Sequence, residues 1–90
     1  MSNDVQILVC FTTVSTKQQA TSLAKELISR RIAACVQIDG PIESHFPWKG
    51  EVCQEEEYRL AIKTRSGREQ QLRKTIQSVH PYEQPRQPAP

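Results

Sequence analysis

No run of about 18 apolar residues occurs anywhere in the 90-residue chain, and the opening MSNDVQ lacks a basic segment followed by a long apolar one. A membrane span and a secretory leader are therefore not expected, and the chain reads as a cytoplasmic protein with no membrane partner. Neither charge sign dominates, since 12 Lys and Arg stand against 10 Asp and Glu. Such balance lacks the dense basic footprint that phosphate-backbone binding needs, so no nucleic acid partner is expected. Cys10, Cys35 and Cys53 are odd in number, widely spaced and form no C-x-x-C pair, a pattern that reads as reduced structural thiols. Aromatic residues are scarce, at 6%. In a chain this short the core that Ala, Val, Ile and Leu can build is modest, and association between copies is a natural remedy.

What is present is a regular succession of elements. VQILVCFTT, residues 5 to 13, is dense in β-branched and apolar residues and reads as a buried first strand. Ser15 with Gln18 three positions later fits a capping box, and Ala20, Leu23, Ala24, Leu27, Ile28 and Ile32 then recur at spacings of three and four. From Ala33, AACVQIDGPIESHFPWKG is β-rich, breaks at Gly40-Pro41 and turns at Lys49-Gly50, so a bent or bulged second strand is expected. In EVCQEEEYRLAIKT, Tyr58, Leu60 and Ile62 alternate with Arg59, Ala61 and Lys63, as in a strand buried on one face. The run Glu51, Glu55, Glu56 and Glu57, followed by Arg65, Arg68, Arg73 and Lys74, reads as solvated surface.

A second helix is expected to open at Ser66, capped reciprocally with Glu69, and to bury Leu72, Ile76 and Val79. Pro81 ends it and pushes His80 into an extended or turn conformation. The order strand, helix, strand, strand, helix is the split βαβ plan of an α+β, ferredoxin-like βαββα(β) sandwich, with a final strand still owed. Residues 84 to 90, QPRQPAP, carry three prolines and do not suit a central strand. The expected division is a domain over 1 to 83 and a Pro-rich tail over 84 to 90.

His80, Tyr82 and Glu83 offer a nitrogen and oxygens to a metal, and Cys10, Cys35 or Cys53 a soft sulfur, but no paired-ligand spacing distinguishes a metal site from structural roles. The three cysteines fall in strand interiors or at a helix-to-strand junction, without an activating histidine, so no enzyme activity is expected. Tyr58 reads as core, because EYRLAIKT lacks the glycine and paired aromatics of an RNA-binding sheet. His45 reads as an exposed loop residue beside Phe46 and Trp48. Trp48, the sole tryptophan, is either an interface anchor or packed on its own hairpin. Arg65 and Arg68 flank the expected start of the second helix, where backbone N–H groups favour a small anion.

Four segments in this order resemble the CutA family of divalent-cation tolerance proteins. RRIAACVQI is similar to the family's R-L-A-A-C-V-N-I, SHFPWKGE to its S-x-Y-x-W-x-G-x turn, EEEYRLAIKT to E-E-E-x-x-L-x-I-K-T, and HPYEQP to H-P-Y-E-x-P. The resemblance covers roughly residues 5 to 85. It implies a homotrimer similar in architecture to the PII signalling proteins, with long hairpins reaching across to neighbours. It also implies that Trp48, Lys63, His80, Tyr82 and Glu83 gather near clefts between subunits. The implied role is divalent metal ion tolerance, copper foremost, by binding an ion such as Cu2+ or a small ligand. Signalling takes the place of catalysis, and no cofactor is required.

A metal site proposed for some relatives uses a first-strand cysteine and paired histidines before the proline. Here Thr12 stands at the cysteine position and Val79 at that of the first histidine, so His80 is carried over, with Cys10 two residues from Thr12 on the same strand face. Relatives continue from H-P-Y-E-x-P into an apolar strand and usually a last helix, which this reading takes to be truncated or replaced by the Pro-rich tail. The competing expectation is a structural or protein-interaction module whose motif residues only hold hairpins together. No particular protein partner is implied.

Overall fold

The structure, a computed structural model, describes residues 6–79. Its elements are β1 (Ile7–Val14), α1 (Lys17–Ser29), β2 (Cys35–Trp48), β3 (Glu51–Arg65) and α2 (Glu69–Val79). The three strands form an antiparallel sheet in the order β1-β3-β2. Directly opposed residues share a face, so Cys10, Ile62 and Val36 form one row and Thr12, Leu60 and Ile38 the next. On these rows rests the core, in which Leu60, Ile62 and Val14 join Ala20, Leu23 and Leu27 of α1, Ile32 and Ala33 after it, and Leu72 of α2. Fully burying a leucine or isoleucine stabilises by about 1.5–3 kcal/mol. Leu27, Leu60 and Ile62 are therefore the principal contacts between the layers. Tyr58 packs against this cluster, as its place in the alternation implies. The buried hydroxyl of Thr64 donates to the Ile32 carbonyl at 2.6 Å, and the Ala34 N–H donates to the Lys63 carbonyl at 2.8 Å. These bonds fix the link from α1 to the sheet.

Both helix starts differ from the sequence expectation. The α1 cap is Thr16, not Ser15: its Oγ1 accepts the Gln19 N–H at 3.0 Å, and Gln19 Oε1 accepts the N–H groups of both Ser15 and Thr16 at 3.1 Å. The run S-T-K-Q-Q contains two overlapping capping boxes, and the chain uses the second. The α2 start lies past Ser66, because the sheet claims that residue. Ser66 N–H donates to the Gln6 carbonyl at 2.8 Å, extending the pairing of β1 with β3. The chain then reverses at Gly67, whose φ of +96° suits glycine, before the helix begins at Glu69. Leu72 and Ile76 face the core as expected. The side chain of Val79, together with His80, Pro81, the owed final strand and the tail over 84 to 90, lies outside the described residues.

β1 ends at Val14, opposite Tyr58, whereas β2 and β3 run on together as a two-stranded arm from Ile42 and Glu57 to Trp48 and Glu51. The register shifts by one residue between Asp39 and Ile42, which is the bulge expected at Gly40-Pro41. Gly40 has φ +144°, and a Cβ there would lie 2.8 Å from Tyr58 Cδ2. At the tip, Lys49 and Gly50 have φ of +52° and +83°, the type I′ pattern of a two-residue hairpin loop. The arm makes the molecule long, with extents of 53 × 29 × 21 Å.

Candidate functional site

The two helices cover one face of the sheet. Its other face carries alternate residues of each strand: Ile7, Val9 and Phe11 from β1, Ala61, Lys63 and Arg65 from β3, and Cys35 and Gln37 from β2. Ile7 and Phe11 are 62% and 61% exposed, in a strand expected to be buried. The continuous apolar run of β1 concealed this, since a strand apolar on both faces reads as buried on both. A contiguous apolar stripe on one chain usually marks an interaction surface. Arg59 frames the stripe: its guanidinium lies 5.5 Å from the Phe11 ring centroid and makes two hydrogen bonds to Asp39, at 2.9 and 3.3 Å. An exposed ion pair of this kind adds roughly 0–1 kcal/mol. Its effect is to hold a planar cation over the edge of the stripe.

On the arm, cross-strand register sorts side chains in the same way. One face carries Ile42, Ser44, Phe46 and Trp48 with Glu51, Cys53, Glu55 and Glu57. The opposite face carries Glu43, His45, Pro47, Val52, Gln54 and Glu56, all exposed. His45 is thus in a strand and not in a loop, because the residues after the bulge stay paired; its Nε2 lies 2.6 Å from Glu43 Oε2. Glu57 corrects the reading of the glutamate run as uniformly solvated, for it is wholly buried at the root of the arm, opposite Ile42. At the other end Trp48 is 55% exposed, with the Lys49 ammonium 5.9 Å from its ring centroid.

Trp48 and Lys63 are not brought together within one chain. Lys63 is half-buried at the centre of the sheet, between Val9 and Cys35, while the partner of Trp48, Glu51, lies at the far end of β3. The strand between Glu51 and Lys63 spans about 40 Å at roughly 3.3 Å per residue. Cys10 is half-buried and packs against the core on the helix side of the sheet, sharing that face with Thr12. The other expected site residues, His80, Tyr82 and Glu83, lie outside the described residues. Among the described residues, no group of three His, Cys, Asp or Glu is placed to hold a metal ion. The start of α2 carries a carboxylate of its own: Glu69 Oε1 accepts the Gly67 N–H at 2.6 Å, and Arg68 donates to Gln71 at 3.2 Å. Glu69 therefore occupies the helix start, near Arg65 and Arg68, where backbone N–H groups were expected to favour a small anion.

Residues 8–88 match the family described as CutA1 divalent ion tolerance protein. The Protein CutA homolog of Xenopus laevis is 42% identical over 64 residues, which cover 71% of this chain and 42% of that protein. The divalent-cation tolerance protein CutA of Thermus thermophilus is 35% identical over 77 residues, covering 86% and 75%. For Protein CutA of Homo sapiens the identity is 34% over 77 residues, covering 86% of this chain and 43% of that one. The chain thus spans less than half the length of the frog and human relatives. Among solved structures, the divalent cation tolerance protein Cut A1 of Thermus thermophilus superposes with a TM-score of 0.84 at 34% identity, covering 89% of this chain and 78% of that one. The PII-like protein CutA from Nostoc, in apo form, gives a TM-score of 0.78 at 33% identity, covering 87% and 73%. The chain therefore has the α+β, ferredoxin-like and PII-like fold that its sequence implied.

Proposed function

The chain belongs to the CutA1 divalent ion tolerance family, and from that premise we propose that it works as a homotrimer in the response to divalent metal ions, copper foremost. It binds an ion or a small anionic ligand at clefts between subunits, in a PII-like signalling role without catalysis, in the cytoplasm and with no required cofactor. The observation that supports this reading is the separation of Trp48 from Lys63 by most of the length of β3. A cleft containing both needs the arm of one subunit to approach the sheet of another. In such a cleft the half-buried Lys63 ammonium supplies the positive charge and Trp48 an apolar wall. His80, Tyr82 and Glu83 enter through the family motif HPYEQP. For a metal, His80 and the soft sulfur of Cys10 are the proposed donors.

Light scattering coupled to size exclusion tests the assembly, with an expected mass near three times the 10.3 kDa of one chain. Thermal unfolding with Cu(II) and with small anions then tests the ligand, because specific binding to the native state raises the melting temperature with ligand concentration. A second reading, an interaction module without a metal function, is favoured by the exposed Trp48 and Val52 near the arm tip. A trimer whose melting temperature no ion or anion raises would support that reading instead.

A further inference from the structure

Among the described residues β1 and β2 are the two edges of the sheet, and they are edges of different kinds. β2 is blunted as natural edges are, by Asp39, Pro41, Glu43 and Pro47 and by the register shift before Ile42. β1, ILVCFTTV, has no charged residue, no proline and an unbroken register. Two hydrogen bonds fix which way its backbone groups point. Ser66 N–H donates to the Gln6 carbonyl, while the Lys63 carbonyl turns to the opposite side of β3 and accepts from Ala34. Residues of an antiparallel ladder alternate between exchanging both bonds with one neighbour and turning them to the other side. Leu8, Cys10 and Thr12 therefore bond to β3, whereas Ile7, Val9 and Phe11 turn their N–H and C=O groups away from it. The side chains of these same three residues form the exposed stripe on the uncovered face. Arg65 stands directly opposite Ile7, and Lys63 opposite Val9.

We infer that the outer edge of β1 is a docking site for an extended segment of another protein, apolar where it passes Phe11 and Val9 and acidic where it passes Ile7. Strand addition of this kind takes affinity from main-chain bonds and selectivity from alternate side chains. Antiparallel partners that exchange bonds lie directly opposite each other, so the added residues that bond to Ile7, Val9 and Phe11 also lie beside the apolar stripe. The added strand runs about 4.8 Å from β1 and so about 10 Å from β3, a span that an arginine and a glutamate side chain bridge together. Charge selects the occupant. A second β1 brings no acidic residue to Arg65 and Lys63. Residues 80–90 of this chain bring Glu83 alone, and their four prolines withhold donors from a ladder. The site is a strand edge and not the cleft between subunits proposed above, so it stands apart from that reading.

The test is residue-resolved amide hydrogen exchange by NMR on the full chain, alone and with the capped peptide Val-Thr-Val-Thr-Glu-Thr-Glu, which matches the site in the antiparallel sense. In the free protein the Val9 and Phe11 amides are expected to exchange about a hundredfold or more faster than those of Leu8 and Cys10, and saturating peptide should slow them about tenfold or more. N-methylation of the peptide's valines and glutamates removes the bonding donors and should weaken it about tenfold or more; N-methylation of its threonines, whose amides point outward, should cost at most a few-fold. Val9→Pro, which removes one outward donor and spares the bonds of Leu8 and Cys10, should weaken the peptide about fivefold or more. Arg65→Glu should weaken it about tenfold and favour Val-Thr-Val-Thr-Lys-Thr-Lys instead. Circular dichroism checks each variant, and Arg65→Glu, which leaves the backbone alone, serves if Val9→Pro does not fold. Peptide that leaves Val9 and Phe11 exchanging as before, or two methylated forms that bind equally, overturns the docking edge. So does slow exchange of Val9 and Phe11 in the free protein: at every concentration it assigns the edge to this chain's own residues, and only on concentrating, to a second copy.

Discussion

Gly40 carries the bend on which the arm depends. Its φ of +144°, and the 2.8 Å that would separate an added Cβ from Tyr58 Cδ2, leave no room for a side chain without moving Tyr58, which packs against the core. Gly40→Ala is therefore expected to destabilise the fold by about 1–3 kcal/mol, measured by urea unfolding. An unfolding midpoint equal to that of wild type would show that the Tyr58 ring and the Glu57 carbonyl, which would lie 3.0 Å from such a Cβ, both give way. The bend was legible in the sequence because Gly-Pro interrupts a β-rich run, and those residue types act locally. The burial of Glu57 was not legible. Its neighbours Glu55 and Glu56 are exposed, and only the three-dimensional root of the arm distinguishes one glutamate of the run from the others.

At the scale of elements, the strands and helices were readable from periodicity, whereas their starts depended on competing hydrogen bonds. Thr16 and Gln19 close the α1 capping box, so Thr16→Ala and Gln19→Ala should each lower stability, Thr16→Ala by about 1 kcal/mol, while the exposed Gln18→Ala should change it by less than about 0.5 kcal/mol. Equal losses at Gln18 and Gln19 in denaturant unfolding would place the cap where the sequence first suggested. Ser66 teaches the same lesson from the opposite direction. Its pattern with Glu69 suits a cap, but its N–H extends the sheet to Gln6, and a pairing of partners 60 residues apart leaves no local signature. The family segments RRIAACVQI and EEEYRLAIKT made the order of elements legible, yet not that β1 would show Ile7 and Phe11 to solvent.

At the largest scale, one helical layer over three strands builds, among the described residues, a small core in which Leu27 is inaccessible to solvent. Leu27→Ala is expected to cost about 2–5 kcal/mol, a large share of what a domain of this size has. If assembly covers the open sheet face, the melting temperature of wild type should rise with protein concentration, and a concentration-independent value would argue against it. Of the candidate site, the sequence placed Trp48 beside the expected turn and Lys63 near the far end of the strand that follows, and the pairing of β2 with β3 turns that spacing into distance. The position of Trp48 has one more consequence. As the sole indole, set at the tip of a projecting arm and open to water, it makes the protein its own fluorescent gauge: red-shifted emission reports a wet tip, and a blue shift on concentrating the sample reports that the tip has found cover.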